Sequence, residues 1–247
     1  MPGFTAEQWI LAAIAAVAIG LSKAGFGGVG MVAILLMARV MPARESTGAI
    51  LPMLIMADIF AVVAYRRHVN FRLVVALLPP AVAGVVCGWL VMPWIPRESF
   101  GPMIGWVTMA LISVMLVQQF RPFLHRFTGS HPGVAWPFGW LAGVTTMLAN
   151  AAGPVMTIYL LACRLPKMEF VGTAAWYFFA INVLKVPFSA SLGLISAESL
   201  MLNLKLAAGV ILGVTAGRML LGKINQKTFE WLMIGFTFLG ALRLIFS

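Results

Sequence analysis

The sequence predicts an all-α polytopic membrane protein built from two inverted-topology repeats. Three observations predict it. Composition is the first: 62% of the 247 residues are hydrophobic and only 10% are charged, too few polar groups to cover a soluble domain of this length. Arrangement is the second. The apolar residues gather into blocks with the charges between them, and about 20 apolar residues suffice for one helical crossing of a bilayer. Self-similarity is the third: two stretches match each other at fixed offsets, while the basic loops around them change sides.

In order, the apolar segments are 9–21, 28–41, 46–65, 71–94 and 101–120, then 134–148, 153–165, 170–189, 199–221 and 228–246, about ten in all. They divide the chain into a first membrane repeat, 1–120, a cytoplasmic linker, 121–133, and a second membrane repeat, 134–247. The first basic residue is Lys23. The opening run therefore lacks the charged start of a secretory signal and reads as a retained membrane segment. The first two segments of each repeat are short. Segment 28–41 spans about 20 Å as a helix, against about 30 Å of hydrocarbon, so re-entrant hairpins are the expectation.

At an offset of 124 residues, Pro42 meets Pro166, Glu45 meets Glu169, Gly48 meets Gly172 and Asp58 meets Asn182. At an offset of 129, Gly84 meets Gly213, Gly88 meets Gly217, Ile95 meets Ile224 and Phe100 meets Phe229. Two runs that each hold one register indicate an internal duplication. Loop 66–72 carries three arginines, and its counterpart, 190–198, carries no Lys or Arg. Loop 93–101 carries Arg97, whereas its counterpart carries Arg218, Lys223 and Lys227. Basic loops favour the cytoplasmic face. Matching loops therefore lie on opposite sides, the halves are upside down relative to each other, and both termini are predicted outside.

Each repeat has a breaker-rich turn between its two short segments. The first is Ser22, Lys23, Ala24, Gly25, Phe26, Gly27, Gly28, Val29 and Gly30; the second runs from Thr146 through Asn150 to Gly153 and Pro154. Interrupted segments at matching places in two halves point to a binding site, because irregular backbone at membrane depth must be buried in protein or line water. Gly25, Gly27, Gly28 and Gly30 let backbone amides approach an oxyanion. Ser22, Thr145, Thr146, Asn150 and Gly153 belong to the same candidate site, and Lys23 supplies positive charge at the first turn. Gly25, Gly27 and Gly30 also spell G-x-G-x-x-G, but without the strand–turn–helix context that a dinucleotide site needs.

Asp58 is the one acid of seven set well inside an apolar run. An acid at that depth is a candidate for coupling or gating, and Asn182 is its uncharged counterpart. An Asp58–Lys185 ion pair fails when depth is measured from the ends of the apolar segments, so Lys185 is expected to extend outward to the headgroups. Gly84 and Gly88, and Gly209, Gly213 and Gly217, recur every four residues and predict close helix–helix contact. Pro52 predicts a kink.

The net charge of +10 would suggest nucleic acid in a soluble protein; here it reports orientation, and no nucleic-acid partner is expected. Cys87 and Cys163 form neither a metal spacing nor a disulfide framework, so no metal and no cofactor are expected. There is no HExxH, no GxSxG and no intramembrane His or paired acids, which argues against an enzyme. No ATP-binding sequence is present, so uphill movement would need a gradient. The expected partners are the lipid bilayer and a small anion, and a monomer and a homodimer both stay open.

The block LSKAGFGGVGMVAILLMARVMPARESTGAILPMLIMADIFAVVAYRRHVNF resembles the sulfite exporter TauE/SafE family. The second-half block NAAGPVMTIYLLACRLPKMEFVGTAAWYFFAINVLKVP is similar to the repeated motif of the same family. The shared layout is a glycine turn, a short helix, Pro, an acidic residue, Gly and a long helix, over nearly the whole chain. The resemblance implies a multi-pass exporter of sulfite, organosulfonates or related sulfur anions in a bacterial inner membrane, with periplasmic termini. Alternating access is the expected mechanism. A passive anion channel and a membrane assembly factor are the alternatives.

Overall fold

The computed structural model describes residues 4–26, 29–99 and 132–225, with single positions at 106, 110, 228, 231, 232 and 235. Eight α-helices lie within them: α1 Ala6–Lys23, α2 Val29–Val40, α3 Ala43–Tyr65, α4 Phe71–Val91, α5 Pro132–Ala149, α6 Ala152–Ala162, α7 Lys167–Ser191 and α8 Ala197–Lys223. Short 3-10 turns, Met92–Trp94 and Arg97–Ser99, follow α4, and no strand occurs among the described residues. Eight of the ten predicted segments are therefore helices. Segments 101–120 and 228–246, most of the linker, Gly27 and Gly28 lie outside the described residues, apart from those single positions.

Helices α1, α3, α4, α7 and α8 are long and apolar enough to cross a membrane, whereas α2 and α6 have 12 and 11 residues. Local chemistry sets their starts. Thr5 caps α1 through a capping box with Gln8, and Ser196 caps α8 through one with Ser199; each box satisfies amides that have no intrahelical partner. Pro42 and Pro166 precede α3 and α7 with extended backbone, and Glu45 and Glu169 place negative charge in the first turns, where the helix dipole favours it. The amide of Gln8 donates to the Val40 carbonyl at 3.4 Å, tying the start of α1 to the end of α2 as an antiparallel hairpin. Helix α3 runs on through Pro52 without a break.

Glycines decide how the helices meet. Helix α4 lies on α5, and α1 lies on α8. A Cβ at Gly84 would stand 2.1 Å from the Trp140 carbonyl oxygen, and one at Gly213 2.2 Å from that of Val17. Backbones touch at both crossings, as the four-residue spacing predicts. Apolar side chains of α1, α3, α5, α6 and α7 fill the space between.

Candidate functional site

Helices α3 and α7 cross at the centre of the site. At one end of the crossing Gly48 abuts the Leu194 carbonyl; at the other, Gly172 abuts that of His68. Asp58 lies ten residues beyond Gly48, and Asn182 ten beyond Gly172, roughly 15 Å of helix in each case. The two therefore meet midway. The Asn182 amide donates to Asp58 Oδ2 at 2.7 Å, and Asp58 is fully buried.

Lys23 completes this group. Its ammonium stands 2.9 Å from Asp58 Oδ1 and 4.2 Å from the centroid of the Phe178 ring. Side chains on a helix lean toward its N-terminus. From the last residue of α1, Lys23 thus reaches back toward Asp58 rather than out to a surface. Tyr65 steadies this end of the hairpin by donating from its hydroxyl to the Ala24 carbonyl at 3.3 Å.

Lys185 departs from expectation. It does not extend outward to the headgroups: it is 1% exposed and donates to the Thr146 carbonyl at 3.0 Å, to Thr146 Oγ1 at 3.2 Å and to the side-chain oxygen of Asn150. The cause is that segment ends are not level across the crossing: Gly48 stands beside Leu194 and Gly172 beside His68, both beyond the predicted segments. Depths counted from the ends of the apolar segments are therefore misplaced. Lys185 lies one turn from Asn182 and faces the second turn, where three acceptors replace water. As expected, the acid's ion pair is not with Lys185: Asp58 pairs with Lys23.

The two turns converge on one cavity, whose lining includes Ser22, Lys23, Gly30, Thr146, Asn150 and Gly153, with Asn182 alongside. A second cavity shares Ser22, Lys23, Gly153 and Phe178 with the first and adds Gly25 and Thr157. Lys23 thus borders both spaces. Thr145 lines neither cavity; its hydroxyl turns back to the Leu141 carbonyl at 2.8 Å. Asp58 also lines neither, lying behind Lys23 and Asn182.

Hydrogen bonding sorts the candidate donors. Ser22 donates its proton to the Ile19 carbonyl at 2.8 Å, so toward the cavity it is an acceptor. Thr146 Oγ1 accepts from Lys185, which leaves its own O–H free to donate into the cavity. Asn150 adopts φ 55°, a left-handed conformation that Asn tolerates. From there its amide donates to the Thr47 carbonyl at 2.8 Å while its oxygen accepts from Lys185. It therefore ties the second turn to both α3 and α7. Lys185 and Phe178 are site residues that sequence reasoning missed. The signal available for Lys185 was a lysine in an apolar run with no acid nearby in sequence.

Gly25 has φ +120°, and a Cβ there would lie 2.9 Å from Val171 Cγ2. Gly25→Ala is expected to destabilise the protein by roughly 1–3 kcal/mol from backbone strain alone, read as a lower unfolding temperature in detergent.

A family model described as Sulfite exporter TauE/SafE matches residues 11–244. The chain belongs to the sulfite exporter TauE/SafE family. No match was found among curated proteins or among solved structures. The TauE/SafE match and the long apolar helices identify a multi-pass membrane transporter. In this TauE/SafE protein the matched range takes in both turns, Asp58, Asn182 and Lys185.

Proposed function

We propose that the protein is a secondary transporter that exports a small oxyanion, such as sulfite or an organosulfonate, across a bacterial inner membrane with both termini periplasmic. One observation carries the reading: two lysines and a single carboxylate cluster beside a cavity lined by both turns. A buried excess of positive charge is costly without an anion. The free Thr146 O–H and the Lys23 ammonium are its donors to that anion.

Alternating access by two inverted repeats fits the same contact. Equivalent points of a two-fold arrangement touch each other only at its axis, and Asp58 and Asn182, 124 positions apart, share a hydrogen bond. Exchanging the repeats also exchanges the α1/α8 pair with the α5/α4 pair. Rocking of one repeat against the other about Asp58 and Asn182 would open the cavity to alternate sides. Asp58 is the group through which a proton gradient would couple.

The test is uptake by purified protein in liposomes, offered sulfite, sulfate, thiosulfate, sulfoacetate, taurine and chloride, with and without a pH gradient. Saturable movement of a sulfur anion that the gradient alters is the expected result. Flux that neither saturates nor shows counterflow would make the protein a passive channel. Silence from folded, inserted protein would favour an assembly factor.

A further inference from the structure

Asp58 and Lys185 are the charged side chains that lie buried among the described residues, and Lys23 beside them is 9% exposed. Each of the three sits in the field of the other two. Lys185 directs its nitrogen at three oxygens, a match for the three N–H groups of an ammonium. None of those oxygens belongs to a carboxylate, and the described ion pair of the cluster is Lys23 with Asp58. With all three ionised, the group carries two positive charges and one negative.

We infer that the site is electrically matched to one negative charge, and that Asp58 sets that number. The inference rests on the anion-transport reading above and narrows its substrate class. A singly charged oxyanion at Lys23 and Thr146 brings the cluster to neutrality. A doubly charged one leaves a net negative charge out of water, which is the costly outcome at membrane depth. The protein thus selects singly charged oxyanions, such as a simple alkanesulfonate, over doubly charged ones such as sulfate. Lys185 acts as a positioning residue, because it lies behind Thr146 and Asn150 and lines neither cavity. Its charge counts in the sum, and its bond to Thr146 Oγ1 aims that hydroxyl's proton at the anion.

The test measures initial uptake of methanesulfonate and of sulfate into proteoliposomes at one pH on both sides; both ions hold fixed charge near neutrality. The wild-type protein is expected to favour methanesulfonate by about a hundredfold. Asp58→Asn raises the cluster's sum to two and is expected to move the preference to sulfate. Lys185→Gln lowers the sum to zero and is expected to lose uptake of both. The double variant Asp58→Asn/Lys185→Gln returns the sum to one and is expected to favour methanesulfonate again. A wild type that moves both anions equally overturns the inference while leaving transport intact, and needs no variant to fold. So does an Asp58→Asn protein that transports with an unchanged ratio. A wild type that moves neither these anions nor any of the wider panel overturns the transport reading itself.

Discussion

Replacing Lys23 by glutamine is expected to reduce anion movement at least tenfold and to destabilise the fold by about 3–5 kcal/mol, the usual cost of breaking a buried ion pair. Asp58 is fully buried. Without the ammonium at 2.9 Å its carboxylate keeps only the Asn182 amide as a partner. Glutamine is one bond shorter than lysine but still donates hydrogen bonds, so the change removes the charge and keeps a donor. The decisive comparison is the double variant Lys23→Gln/Asp58→Asn. It removes both charges and should recover most of the unfolding temperature in detergent, because neither member of the pair is left without the other. It should not recover transport. The cluster's charge is then still one, but it resides on Lys185, which lies behind Thr146 and Asn150 and lines neither cavity. A double variant that transports at the wild-type rate would show that overall charge attracts the anion and that Lys23 makes no contact with it. A single variant as stable as wild type would show that Asp58 does not need its partner.

How far the sequence led differs from residue to residue. Helix positions were legible from apolar length, and the close crossings from glycine spacing, because both depend on local chemistry alone. Asp58 and Asn182 correspond at the 124-residue offset. That they touch is a matter of three-dimensional position, which an offset cannot say. Thr145 and Thr146 are adjacent and chemically alike; about 100° of helical rotation sends one hydroxyl to its own backbone and the other to the cavity. The depth of Lys185 depends on the stagger of α3 against α7, with Gly48 beside Leu194, and a stagger between helices has no sequence signal. The hydrogen-bond direction at Ser22, which makes that hydroxyl an acceptor toward the cavity, depends on three-dimensional position and has no sequence signal.

Four glycines of α8 offer a graded test of whether backbone contact holds the site together. At Gly213 a Cβ would stand 2.2 Å from the Val17 carbonyl oxygen and 3.0 Å from Gly20 Cα. Real Cβ atoms do not come that close to backbone, so Gly213→Ala must push α8 off α1. The expected loss is about 1–3 kcal/mol or more. Gly217→Ala meets the Ala24 Cβ at 2.6 Å and Gly209→Ala the Ala16 Cβ at 3.2 Å, so their losses should be smaller, Gly209 least. Gly222 has nothing within 4 Å. There alanine gains only the better helix propensity, up to about 1 kcal/mol of added stability. Unfolding temperatures in detergent should therefore fall in the order Gly222→Ala, wild type, Gly209→Ala, Gly217→Ala, Gly213→Ala. The same displacement reaches the site, since α1 carries Lys23 at its end and Asp58 sits on α3. Gly213→Ala is accordingly expected to slow transport in protein that still inserts. A Gly213→Ala protein as stable and as active as wild type would show that α1 and α8 are not in backbone contact, and would detach the position of Lys23 from the packing of α8.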